Sequence, residues 1–186
     1  MPFGSLWLPV VVSAIAVWIV SAILHMVLKY HRADYKRLSN EDGIASAIRG
    51  VAPSPGIYPI PYCTDGKQMK DPAFQKKYTD GPVGLLTVMK NGPPAMGKYL
   101  GQWLGFCLLA SVVTAYVARH TLSPGTDPLE VLRITGAVSF AAYGFSSLQA
   151  GIWKGEPLGN VIRGFIDGLI YGVTTGLVFR LLWPAA

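Results

Sequence analysis

Apolar residues run almost unbroken through four stretches of the chain, at about Leu6–Leu28, Tyr99–Ala118, Val131–Leu148 and Val161–Leu182. Each holds about 18 to 23 residues, and a helix of that length can cross a hydrocarbon core of about 30 Å. None alternates apolar and polar positions as a barrel strand does, and lipid admits only helices and closed barrels. The pattern predicts an all-α integral membrane protein, one domain over residues 1–186 with four transmembrane helices in a bundle. The third segment is the least apolar, interrupted by Ser139, Tyr143, Ser146 and Ser147.

Between the first and second segments, residues 30–98 read as a partly structured loop of about 70 residues. The first helix is expected to continue through HRADYKRL, which sets His31 and Asp34 one turn apart. Ser39 or Asn40 then caps a short helix through Glu41, Ile44, Ile48 and Arg49, with Gly50 as its stop. Pro53, Pro55, Pro59 and Pro61 exclude helix and favour extended backbone. A second short helix is expected from Pro72 to Tyr78. The apolar run Val83–Met89 is too short to span and is expected at the headgroup boundary or beneath the helices.

The spacing of glycine adds a packing signal. Gly164, Gly168, Gly172 and Gly176 recur every fourth residue in the last segment, and Gly97, Gly101 and Gly105 do so at the start of the second. Four residues slightly exceed one helical turn, so each set forms a slowly drifting ridge without side chains. In lipid such a ridge lets another helix approach backbone to backbone. Both ridges are therefore expected to meet helices, within the chain or between copies. On the last helix Asn160, Arg163, Asp167, Tyr171 and Thr174 share a polar face beside the glycine ridge, while Ile162, Ile166, Leu169, Ile170, Val173 and Leu177 form an apolar face. A helix divided in this way is packed on two sides.

Charge orients the helices. Eleven of the sixteen Lys and Arg residues lie between the first two segments, including Lys29, Arg32, Lys36 and Arg37 directly beside the first. The positive-inside rule then puts this loop in the cytoplasm and both termini outside, as expected for a bacterial inner-membrane protein. The apolar run from Leu6 to the basic flank at Lys29 favours a retained helix over a cleaved signal peptide, since no cation precedes it. Composition agrees: 51% of residues are hydrophobic and only 14% charged, against about 25% in soluble domains. The net charge of +6 acts as an orientation signal, and the loop's acidic residues dilute any nucleic-acid-binding patch.

Candidate chemistry centres on Asp167, the one acidic residue inside an apolar segment. A charge there costs about 2.5–3.5 kcal/mol near the bilayer centre, so it is expected to face the interior. Arg163 and Tyr171, four residues away on either side, and His25 at a similar depth are its expected partners. An Arg163–Asp167 pair fixing the helix is the preferred reading, ahead of a protonatable group on a proton or cation path. His31, Asp34 and Cys63 could form a metal site only through loop folding and at no recognised spacing. Six residues separate His25 and His31, about 240° on one helix, and His120 sits near the opposite surface, so no haem or other cofactor is expected. Cys63 and Cys107 are expected to be separate thiols, and no nucleophile elbow, Walker loop, zincin or dinucleotide motif occurs.

These features favour a non-enzymatic structural, accessory or assembly subunit held by glycine-ridge packing. Its expected partners are the lipid bilayer and either itself or another membrane protein, with no nucleic acid. A small channel or proton- or cation-coupled transporter using Asp167 is the alternative, and a membrane enzyme using loop residues the second alternative.

Overall fold

The computed structural model describes residues 3–185. It is mostly helical and divides into two compact units, one formed by the chain up to Tyr35 and from Ala95 onward, the other by Lys36–Pro94. The loop expected from residue 30 thus begins at Lys36, and residues 30–35 belong with the long helices.

In the larger unit, α1 (Trp7–Ala22) precedes α4 (Met96–Thr121), α5 (Pro128–Lys154) and α6 (Leu158–Leu181). With the turns flanking α1, these make four helices long and apolar enough to cross a membrane. Local chemistry sets their ends. Asp127 caps α5 by accepting from the Leu129 and Glu130 amides at 2.8 and 3.3 Å, with Pro128 in the first turn. Gly155, at φ 69°, ends α5, and Pro157 immediately precedes α6.

The helices pack as a closed circuit: α1 lies on α4 and α6, α4 on α5, and α5 on α6. Val10, Ser13, Ala14 and Val17 form the buried face of α1. Ser13 Oγ donates to Ser111 Oγ at 3.0 Å between α1 and α4, and the Thr114 and Ser139 hydroxyls meet at 2.8 Å between α4 and α5. Outward-facing Ile15, Ile19, Leu109, Val113, Ile162, Leu169 and Val173 remain exposed. Such an apolar exterior is foreign to water-soluble monomers and suits a hydrocarbon surround.

The α6 glycine ridge is taken up within the chain. A Cβ on Gly172 would lie 2.8 Å from the Gly136 carbonyl oxygen, one on Gly176 would lie 2.9 Å from that of Leu132, and one on Gly168 would strike Gly144. Gly136 and Gly144 of α5 are thus the unforeseen complement of the ridge. The expectation for the other set does not hold within the chain: a Cβ on Gly97, Gly101 or Gly105 would meet no atom among the described residues within 4 Å.

In the smaller unit Asn40 caps α2 (Glu41–Val51), accepting from the Gly43 amide at 3.0 Å. The helix passes the expected stop at Gly50 and ends at Ala52, which is left-handed at φ 48°. Asp71 caps α3 (Pro72–Asp80). Contrary to an all-helical fold, β1 (Gly56–Ile60) pairs antiparallel with β2 (Gly84–Val88), Tyr58 opposite Leu86. The run from Val83 therefore contributes a strand, and Pro59 fits because a two-stranded sheet leaves outward amides without ladder partners.

Candidate functional site

The site forms where α1 ends. Its last turn, Ile23–Val27, widens to a π-helical turn closed by the Leu28 amide on the Ile23 carbonyl at 3.0 Å. Lys29 then adopts φ 58°, a left-handed conformation uncommon for a residue with a Cβ. The helix therefore does not run on through HRADYKRL. Residues Tyr30–Asp34 instead form a 3-10 turn against α6.

That reversal brings Tyr30 and His31 to Asp167, whose own side chain is 6% exposed, and His25 reaches it from the widened turn. Tyr30 donates its hydroxyl to Asp167 Oδ1, His31 Nε2 lies 2.8 Å from Asp167 Oδ2, and His25 Nε2 lies 3.8 Å from the same oxygen. The two imidazoles stack, with centroids 4.1 Å apart and planes 7° from parallel. Behind them, His25 Nδ1 meets the Ser21 carbonyl at 3.0 Å and His31 Nδ1 meets Asp34 Oδ2 at 2.6 Å. Arg163 Nε donates to Asp34 Oδ1, and Asn160 Nδ2 donates to the Asp34 carbonyl at 3.2 Å. Burial works against the charge on Asp34, yet hydrogen bonds from His31 and Arg163, with the guanidinium charge, hold its carboxyl below the usual range.

Beside this cluster opens a cavity of about 670 Å³ between α1, α4, α5 and α6, within the range of small-molecule pockets. Trp18, Tyr99, Trp103, Phe106, Tyr143 and Tyr171 form an aromatic part of its wall. Trp103 packs edge-on to Tyr143 and Tyr171, both at 6.1 Å, and its Nε1 donates to Ser21 Oγ at 2.8 Å. Exposed Met26, Met96 and Tyr99 lie at the lining, while His25 and Asp167 bring the polar cluster to it. The buried hydroxyl of Tyr171 has no hydrogen-bond partner among the described residues, and that of Tyr143 has only the weakly bonding Cys107 thiol. Both residues line the cavity, but their hydroxyl oxygens are closed off from it.

Of the residues read from sequence, Asp167 is buried and near His25 as expected. Arg163 is not its partner: the guanidinium is taken by Asp34, which the turn at Lys29 places beside it. Tyr171 is buried and lines the same cavity, without bonding the carboxylate. The helical projection that separated His25 and His31 fails, because the chain leaves the helix between them. Cys63 belongs to the smaller unit, where its Sγ donates to the Asp65 carbonyl at 3.0 Å. Tyr30 and Asn160 were missed as site members. No protein-family model matches the chain, and neither the curated proteins nor the solved structures contain a significant match.

Proposed function

We propose that this chain is an integral membrane protein that binds an amphiphile, its apolar body among Trp103, Phe106 and Met26 and its polar end against His25 and Asp167. One observation carries the reading: a mostly apolar cavity, walled in part by aromatic side chains, leads to a buried carboxylate–histidine cluster. Ligand pockets combine mostly apolar walls with a few converging polar groups in this way. The apolar lining favours an amphiphile over a hydrated cation, which weakens the transport reading of Asp167. The cations at this end, Lys29, Lys98, Lys154 and Arg163, support placing the cavity in the cytoplasmic leaflet of a bacterial inner membrane, with both termini outside.

The test is native mass spectrometry of protein extracted in mild detergent. Wild type should retain a stoichiometric amphiphile, and Ala22→Trp, which fills the cavity, should lose it at unchanged helicity. No adduct, or equal retention by both proteins, overturns the reading.

A second reading, an accessory or assembly subunit, is favoured by a separate observation. Gly97, Gly101 and Gly105 form an exposed ridge on α4 with no neighbour within the described chain. That ridge is the surface on which a second copy or another membrane protein would pack.

A further inference from the structure

We propose that His25, His31 and Asp167 form a three-ligand site for a divalent transition metal of the zinc type. The proposal concerns the same cluster as the amphiphile reading but does not depend on it, since a metal would bind with the cavity empty.

One ligand atom from each of the three residues lies within 4.8 Å of the other two. Ligands about 2.1 Å from one tetrahedral ion stand about 3.4 Å apart. The widest pair must therefore close by up to about 1.4 Å, the His31–Asp167 pair at 2.8 Å must open by about 0.6 Å, and the stacked rings must tilt apart. His25 can supply the closure and the tilt, because its side chain is half exposed and sits on the widened turn ending α1.

The stronger argument is that every non-ligating atom is already held. Metal-binding histidines direct one ring nitrogen to the ion and give the other N–H to a carbonyl or carboxylate. Here the Ser21 carbonyl occupies His25 Nδ1 and Asp34 occupies His31 Nδ1, which leaves both Nε2 atoms facing Asp167 Oδ2. The other carboxylate oxygen of Asp167 accepts from Tyr30. Asp34 is itself fixed by Arg163, whose Nη2 donates to Asn160 Oδ1 at 2.9 Å. Two imidazoles and one carboxylate suit zinc and neighbouring first-row ions rather than magnesium or calcium, which take oxygen donors. Three protein ligands leave one position open, the arrangement of catalytic rather than structural zinc. All three ligands line a second, polar cavity of about 310 Å³ beside Glu156 and Asn160, and His25 and Asp167 line the apolar one as well.

The competing arrangement is a protonated His31 shared by Asp34 and Asp167 with no metal. Untagged protein, stripped with a chelator, separates the two by competition titration with Zn2+ and by Co2+ absorption spectra. The expected result is one zinc per chain and the visible bands of tetrahedral cobalt. Affinity should fall by more than about 100-fold in His25→Ala and Asp167→Asn and by about 10- to 100-fold in Asp34→Asn. His120→Ala, altering a histidine that meets the Tyr116 carbonyl and ring away from this cluster, should bind as wild type. His25→Ala is decisive should the others fold poorly, because the His25 side chain is half exposed. Failure of wild type to bind zinc at micromolar concentration, or unchanged binding by His25→Ala, overturns the proposal. Ala22→Trp distinguishes the two readings, since it should lose the amphiphile and keep the zinc.

Discussion

Two residues decide whether the site exists: Lys29, whose backbone turns the chain, and Asp167, whose carboxylate collects what the turn delivers. Tyr30→Phe removes one donor from a buried carboxylate and should cost about 1–3 kcal/mol, read as a lower unfolding midpoint in detergent. An unchanged midpoint would mean that the hydroxyl adds nothing to the fold. Asp34 gives a pH test. Its carboxyl is held below the ordinary range by His31 and Arg163, so its contribution is complete above the unfolded value of about 4 and disappears as pH falls through the lowered folded value. The stability advantage of wild type over Asp34→Asn should therefore be constant just above pH 4 and shrink below it. Asp167 could be singled out from sequence because an acid in an apolar run is costly wherever it lies. Its partners could not. Lys29 is neither glycine nor asparagine, so nothing in its side chain announces a left-handed turn. Projecting one continuous helix through it put His25 and His31 on different faces and paired Arg163 with the wrong acid.

At the scale of elements, the two glycine ridges look alike in sequence and differ in use. The α6 ridge meets Gly136 and Gly144, and Gly172→Leu should drive α5 and α6 apart, at a cost of at least about 1–3 kcal/mol. Gly101→Leu should leave the stability of a single chain within about 0.5 kcal/mol, because a side chain there enters open space. Should Gly101→Leu also leave the oligomeric state unchanged in cross-linking, the assembly reading loses its support. Hydropathy located the four long helices because burial in lipid demands long apolar runs with internally bonded backbones. It could not assign contacts, since glycine spacing describes a surface and says nothing of what lies against it. The strand pair escaped for a related reason. Pro59 argues against a central strand, but a lone pair of strands has only edges.

For the whole molecule, orientation is the first thing to establish. A cysteine introduced at Asp65 in a Cys63→Ser background should be shielded from impermeant reagents added outside intact cells, whereas one at Thr121 should react. The reverse pattern would invert the topology. The circuit of helices also bears on synthesis. Translation proceeds at about 5–20 residues per second, so α1 waits several seconds while the Lys36–Pro94 unit is made and α4 emerges. Its polar groups tolerate that interval, because Ser13 and Ser21 can donate to carbonyls of their own helix, those of Val10 and Trp18. Asp167 lies on the last helix to emerge, whereas Tyr30, His25 and His31 lie far upstream. The residue least welcome in lipid is thus synthesised only after every group that bonds it, and the nascent chain never has to hold that carboxylate while its partners are still to be made.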